Sequence, residues 1–234
     1  AWPCLAMLGH AWPCLAMLCL PMLGHGYAWL CLAMAMLGHA WPCLAMLGHP
    51  MLDHGHAWLC LSGITLAIYS ESARQHLFEL LADYRRSGGR VAFDSNYRPK
   101  LWSSLQQTRQ AYEAMYRLTD LALPTIEDEQ AVFGDDDQFA IIRRLRSSGV
   151  GEIALKMGEQ GCLVVVDDQQ ELIPARKVDV VDTTSAGDSF NAGYLAARLS
   201  GQAAASSAES GHQLASVVIQ HKGAIIPRNA MSSN

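Results

Sequence analysis

Charged residues are almost absent from the first 70 residues of this 234-residue sequence, where Asp53 is the only aspartate, glutamate, lysine or arginine. A signal peptide starts with a positively charged region, so this segment does not resemble one. A membrane-spanning helix needs about 20 mainly apolar residues, whereas proline, glycine or histidine recurs here about every ten residues. We therefore expect neither a signal peptide nor a spanning helix in this segment, and no membrane partner.

Cysteine is scarce outside the same segment, since Cys162 is the only one of seven cysteines beyond residue 60. The cysteines and histidines before that point lack the paired C-x-x-C and histidine spacing of zinc sites. A low cysteine content in the remainder is typical of proteins in a reducing compartment. We therefore predict no metal held by these side chains, and a cytoplasmic location.

A ten-residue unit, Ala-Trp-Pro-Cys-Leu-Ala-Met-Leu-Gly-His, is complete at residues 1–10 and 40–49 and degraded between them. Its period matches neither a helix nor a strand, and it is shorter than the units of known repeat proteins. The unit can be encoded by the decanucleotide GCTTGGCCAT read in its three phases. We interpret residues 1–60 as a translated DNA repeat without a stable fold, and residues 61–234 as the folded domain.

The chain carries 17 basic and 22 acidic residues, a net charge of −5. Nucleic-acid-binding domains usually show a basic stripe, so we expect no nucleic-acid partner.

Beyond residue 60, predicted strands alternate with predicted helices. This alternation is typical of a doubly wound, mostly parallel α/β sheet with helices on both faces, in which ligands bind at the carboxyl ends of the strands. The predicted strands are 90–94, 121–123, 152–156, 161–166 and 172–175, and the main predicted helices are 70–88, 101–117, 187–199 and 204–221.

The sequence Asp-Thr-Thr-Ser-Ala-Gly-Asp-Ser-Phe at residues 182–190 is the most informative motif. Its small residues Ser185, Ala186 and Gly187 precede a predicted helix, and backbone amides at a helix N-terminus form an anion site. Asp188 adds a carboxylate next to that site. Two roles are open for it at this point: a general base for phosphoryl transfer, or a simple helix cap.

The same motif resembles the C-terminal signature of the PfkB or ribokinase-like carbohydrate kinases. Residues 93–102 and 223–228 are similar to the branch of that family that phosphorylates 2-keto-3-deoxygluconate. The resemblance covers about residues 61–231 and implies a partial ribokinase-like fold, without the N-terminal strands and the β lid of the family. It implies a kinase that uses ATP and Mg²⁺ on a sugar acid, from a family whose intact members can be homo-oligomers. The alternative is an inactive remnant that binds nucleotide weakly.

The resemblance also implies roles for residues in the motif of residues 182–190. Asp188 would be the catalytic base and would contact the substrate hydroxyl. Ser185, Ala186 and Gly187 would form the anion hole around the transferred phosphate. Ser185 departs from the family, which usually has glycine or alanine there.

Further residues are implied to bind nucleotide or substrate. Asn96 would face ATP, and Arg98 would bind the substrate carboxylate, for which its planar guanidinium is suited. Residues 211–218 would border the adenine, with His212 equally expected to be an ordinary helix residue. The remaining nucleotide-binding positions implied are Lys156, Gly158 and Gly161 in a turn that could also be a plain hairpin, and Thr125 and Asp128 in place of the family's Asn and Glu that organise magnesium and phosphate.

Overall fold

The computed structural model describes residues 30–31, 58–227 and 230, and the interpretation of residues 1–57 as an unfolded repeat otherwise lies outside the described residues. Arg228, in the second motif of the resemblance, also lies outside them. The strands are β1 (Leu30–Cys31), β2 (Trp58–Ser62), β3 (Arg90–Asp94), β4 (Leu121–Ala122), β5 (Glu152–Lys156), β6 (Cys162–Val166) and β7 (Gln169–Ile173).

Seven α-helices lie within the described residues. None of them is long and apolar enough to span a membrane. They are α1 (Gly63–Ile68), α2 (Glu71–Arg86), α3 (Leu105–Tyr116), α4 (Ile126–Phe133), α5 (Gln138–Ser147), α6 (Ala186–Leu199) and α7 (Ala204–Val218).

The strands form one sheet whose spatial order follows the chain. Neighbouring strands from β1 to β5 are parallel, and β6 and β7 add an antiparallel edge. This topology confirms the predicted mostly parallel α/β fold. β1 and the first residues of β2 lie within residues 1–60, which we interpreted as having no stable fold, so residues 30–31 and 58–60 of that segment are strand residues of the sheet.

Helices cover both faces of the sheet, as predicted. On one face, Val91, Phe93 and Ile153 of the central strands pack in a core with α2 to α5. On the other face, Ala92 and Ala154 pack in a core with α6 and α7. Because neighbouring residues of a strand point to opposite faces, a strand buried on both faces is apolar throughout.

The region predicted as one helix over residues 101–117 is divided. A 3₁₀ turn spans Pro99–Leu101, and α3 begins only at Leu105. Ser104 caps α3 because its hydroxyl accepts a hydrogen bond from the backbone N–H of Gln107 at 3.2 Å. Side-chain capping of this kind favours serine before a helix rather than inside one, which explains the later start.

Candidate active site

The first wall of the candidate site is the turn after β3, at the carboxyl edge of the sheet. Asp94 ends the strand with 7% of its surface exposed, and Ser95 is fully buried. Asn96 follows with φ of 35°, a left-handed conformation that asparagine tolerates better than most residues. The extended strand conformation therefore ends by Asn96, and Asp94 is the last residue of β3.

Asp128, near the start of α4, anchors this turn. Its Oδ2 accepts hydrogen bonds from the Ser95 hydroxyl and the Tyr97 backbone N–H, both at 3.0 Å. The Thr125 N–H donates to the Ser95 hydroxyl at 3.2 Å. Burial raises the pKa of Asp128, which these hydrogen bonds oppose. Thr125 and Asp128, the predicted magnesium and phosphate positions, thus border the turn that carries Asn96.

Lys156, the last residue of β5, lies between β3 and α6. Its Nζ donates to Asp94 Oδ1 and to Asn191 Oδ1, at 3.0 Å in each case. All three side chains are buried, with 7% of each residue exposed. The Lys156–Asp94 ion pair and the hydrogen bond from Lys156 to Asn191 therefore connect the ends of β3 and β5 with α6.

The turn before α6 is held by Asp182. Its Oδ1 accepts hydrogen bonds from the N–H and the hydroxyl of Thr184, and its Oδ2 accepts one from the Gly223 N–H at 2.8 Å. These bonds, first the one from the Thr184 hydroxyl, lower the pKa of Asp182 to about 2. The carboxylate therefore stays ionised and ties the motif to the segment after α7.

Ser185 is the residue before α6, with φ of 63° and ψ of 16°. In this conformation its side chain makes no capping hydrogen bond to the helix. Ala186 and Gly187 open the helix itself, where backbone N–H groups lack helical partners, and the Ala186 N–H donates to the Thr183 carbonyl oxygen at 3.1 Å. A Cβ placed on Gly187 would lie 3.6 Å from Lys156 Nζ, so the first turn of α6 packs against the buried lysine.

Asp188 lies in this first turn and is accessible to solvent. Crowding around its carboxyl group raises its pKa through desolvation, and the negative charge of Asp94 raises it further. Lys156, Arg98 and a hydrogen bond from Ser185 act in the opposite direction. Asp188 is therefore electrostatically coupled to the turn after β3 and to β5.

Arg98 is exposed, and its Nη1 donates to the carbonyl of the preceding Tyr97 at 3.0 Å. Its positive charge acts on Asp188 across the site. The structure thus brings Arg98 and Asp188, which are 90 positions apart in the sequence, to the same region.

The turn after β5 contains the predicted positions Gly158 and Gly161. Gly158 begins a short 3₁₀ turn, and the Met157 N–H donates to the Gly161 carbonyl at 2.8 Å. Gly161 has φ of 109°, and a Cβ there would lie 2.1 Å from the Ile173 carbonyl oxygen. Packing of the β5–β6 hairpin therefore requires glycine at this position even without a nucleotide.

His212 of α7 is buried, with 9% of its surface exposed. Its Nε2 lies 3.1 Å from the Ile173 carbonyl oxygen, and its ring meets that of Phe190 edge-on at 5.0 Å. Burial lowers its pKa. These contacts are those of an ordinary core histidine, one of the two roles that the sequence left open.

Sequence reasoning missed two members of the site, Asp94 and Asn191. Asp94 ends a buried strand before a polar turn, which is a usable signal in a fold whose ligands bind at strand ends. Asn191 follows Asp188 by three residues and so shares a helix face with it. Their common partner Lys156 is visible only in three dimensions.

Comparisons with known proteins identify the family of the chain. Residues 56–231 match the model of the pfkB family carbohydrate kinases. The chain belongs to that family. It is 48% identical over 174 residues to the 2-dehydro-3-deoxygluconokinase of Escherichia coli K12, an alignment that covers 73% of this chain and 56% of that enzyme. The chain thus spans little more than half the length of such relatives.

Solved structures share the fold. The aminoimidazole riboside kinase of Salmonella enterica, complexed with aminoimidazole riboside and an ATP analogue, superposes with a TM-score of 0.66 at 25% identity, covering 76% of this chain and 62% of that one. A ribokinase II of E. coli in complex with ATP and Mg²⁺ superposes with a TM-score of 0.62 at 22% identity, covering 72% and 53%.

Proposed function

We propose that this chain phosphorylates 2-keto-3-deoxygluconate with ATP. The observation that supports the proposal most is the placement of Asp188 beside the amide-lined turn of Ser185, Ala186 and Gly187, at the carboxyl edge of the sheet. The 48% identity to a 2-dehydro-3-deoxygluconokinase supports this choice of sugar acid.

In the proposed reaction, Asp188 accepts the proton of the substrate's terminal hydroxyl. The hydroxyl oxygen then forms a bond to the γ-phosphorus of ATP, and the bond between that phosphorus and the β,γ-bridging oxygen breaks, which releases ADP. Backbone N–H groups at the start of α6 stabilise the charge on the transferred phosphoryl group. A raised pKa makes Asp188 a better proton acceptor than an ordinary aspartate.

Mg²⁺ would neutralise charge on the ATP phosphates when bound. Among the described residues, no group of three or more histidine, cysteine, aspartate or glutamate side chains could hold a metal ion. Mg²⁺ commonly binds through one or two carboxylates together with phosphates and water. Asp128, with Thr125 beside it, fits this limited protein contribution. Asn96, Gly158 and Gly161 would border the nucleotide.

Arg98 is proposed to bind the carboxylate of the sugar acid. It is exposed, its charge acts on Asp188, and a guanidinium can donate to both oxygens of a carboxylate. An anionic substrate held there would present its hydroxyl end to Asp188. We propose a cytoplasmic location and ATP and the sugar acid as partners, with a homo-oligomer as in intact family members.

A second candidate function is weak nucleotide binding without turnover. It is favoured by one observation, that the matched part of the chain corresponds to only 56% of the E. coli enzyme's length. Phosphoryl transfer depends on excluding water and on contacts made only in the transition state. If those contacts lie in the part of the E. coli enzyme outside the alignment, the chain would bind ATP without catalysing phosphoryl transfer.

Purified full-length chain should be assayed for ADP release that requires both ATP and 2-keto-3-deoxygluconate. We expect turnover that Asp188→Asn abolishes and that Glu209→Gln, an exposed carboxylate on α7, leaves unchanged. Binding of ATP without any substrate-dependent ADP release would instead establish the second candidate function.

A further inference from the structure

Two buried polar networks join β5 to α6, one at each end of the strand. At the amino end, Glu152 accepts hydrogen bonds from the Tyr194 hydroxyl at 2.6 Å and from Arg198 at 2.8 Å. At the carboxyl end, Lys156 donates to Asp94 and Asn191. Both networks hold the same helix on the same strand, but only the second one borders the candidate site.

Burying the ammonium group of Lys156 next to one carboxylate offers little stability by itself. The cost of removing both charges from water can exceed their mutual attraction, and apolar replacements of such pairs are often equally stable. The pair with Asp94 is almost wholly buried, with 9% of each side chain exposed. A contribution to stability therefore does not by itself account for the Lys156–Asp94 pair at this position.

Geometry connects this network to the proposed base. Asn191 follows Gly187 by four residues and Asp188 by three on α6, so its side chain is a neighbour of both positions on the helix surface. Lys156 Nζ donates a hydrogen bond to Asn191 Oδ1. The same Nζ lies 3.6 Å from the position that a Cβ added to Gly187 would occupy. Lys156 therefore lies against the first turn of the helix and is hydrogen-bonded to its second turn.

We propose that Lys156 is a positioning residue which, through Asp94 and Asn191, fixes the first turn of α6 and thereby sets the place and the electrostatic environment of Asp188. This role differs from the direct nucleotide contact that sequence alone predicts, because both hydrogen-bond partners of the ammonium group are protein side chains. The proposal deepens the kinase function above and, where turnover is concerned, rests on it.

The charged groups that act on Asp188 are Asp94, Lys156 and Arg98. Asp94 and Lys156 act on it with opposite sign, and each compensates the charge of the other. Removal of either one therefore changes the field at Asp188 in a direction that depends on which charge is lost. If the network were only a mechanical support for α6, loss of Asp94 and loss of Lys156 would not shift the pKa of Asp188 in opposite directions.

The first experiment compares Asn191→Leu with the matched control Tyr194→Phe, which removes a hydrogen bond at the far end of the same strand and helix. We expect Asn191→Leu to lower kcat about 10- to 100-fold with the KM for ATP changed less than about twofold. Tyr194→Phe should leave both constants near those of the unmodified chain. Equal losses of kcat in the two variants would overturn the proposal.

The second experiment needs no turnover and so separates failure of this proposal from failure of the kinase function. The titration of the Asp188 carboxyl is followed by carbon NMR in Asp94→Asn, in Lys156→Met and in the double variant. We expect the pKa of Asp188 to fall in Asp94→Asn, to rise in Lys156→Met, and to return towards its original value in the double variant.

The double variant also leaves neither charge buried alone, so it keeps the test available if Lys156→Met does not fold. Its Asp188 pKa should then lie above that of Asp94→Asn. Shifts in the same direction in both single variants would overturn the proposal. So would an unchanged Asp188 titration in Lys156→Met accompanied by an ATP affinity at least about tenfold weaker, since that result would identify Lys156 as a direct nucleotide ligand.

Discussion

The conformation of Ser185 leads to a quantitative prediction. Its φ of 63° and ψ of 16° lie in the left-handed region, which costs an L-residue about 1–2 kcal/mol relative to right-handed backbone. Glycine adopts this conformation without that cost, although it loses more backbone entropy on folding, about 0.5–1 kcal/mol. Because the two effects oppose each other, we expect the free energy of unfolding of Ser185→Gly to be about 0.5–1 kcal/mol higher than that of Ser185→Ala, which keeps the left-handed strain.

No capping hydrogen bond to the helix backbone is lost in this change. The hydrogen bond between the Ser185 hydroxyl and the Asp188 carboxyl is lost, but Ser185→Ala loses it too, so the difference between the glycine and alanine variants isolates the backbone. For a folded region of this size the gain corresponds to a Tm increase of roughly 1–4 °C. Urea denaturation followed by circular dichroism, together with calorimetry, measures both quantities.

Ser185→Ala is the control, because alanine also removes the hydroxyl but keeps the left-handed strain. It should not stabilise the chain. Equal stability of the alanine and glycine variants would show that the backbone conformation does not carry this strain, and a Ser185→Gly variant less stable than Ser185→Ala would refute the reasoning directly.

Three further predictions concern stability. Gly63→Ala should destabilise the fold by about 3 kcal/mol or more, because the new Cβ would lie 1.9 Å from the Ser95 carbonyl oxygen; an unchanged urea midpoint would contradict this close approach. Burial raises the pKa of Glu129 from 4.5 to about 7, so the folded state binds its proton more tightly and the Glu129 contribution to stability falls as the pH rises from 4.5 to 7. Denaturation at several pH values should show that this fall is absent in Glu129→Gln, whereas an identical pH dependence in both proteins would exclude it. The pKa of Asp182 is lowered to about 2, so its contribution is present above pH 4 and lost as the pH falls towards 2. The protection of the Gly223 amide against hydrogen exchange, taken relative to the intrinsic rate at each pH, should fall over that range, and it should be low at every pH in Asp182→Ala; protection that is the same in both proteins would contradict this.

Much of the fold follows from the sequence because its strands are short apolar runs between helices with recognisable starts. The predicted strands over residues 90–94 and 152–156 coincide with β3 and β5. Local signals were less reliable where two of them compete. The helix predicted from residue 101 starts at Leu105, since Ser104 caps it and Pro99 begins a separate turn.

The candidate site was predictable to the extent that it lies in contiguous motifs. The turn from Ser185 to Asp188 precedes and opens a helix, as the sequence indicates. The partners of Lys156 were not predictable, because Asp94 and Asn191 are separated from it by 62 and 35 residues. Only the parallel arrangement of β3 and β5, with α6 packed over their ends, brings these three side chains together.

The most direct test of the proposed kinase function is ADP release by the full chain with ATP, Mg²⁺ and 2-keto-3-deoxygluconate. Phosphoryl transfer with Asp188 as the base predicts release that requires the sugar acid and that Asp188→Asn abolishes while ATP binding persists. Substrate-dependent release of the same rate in Asp188→Asn, or ATP binding with no release in the unmodified chain, would contradict it.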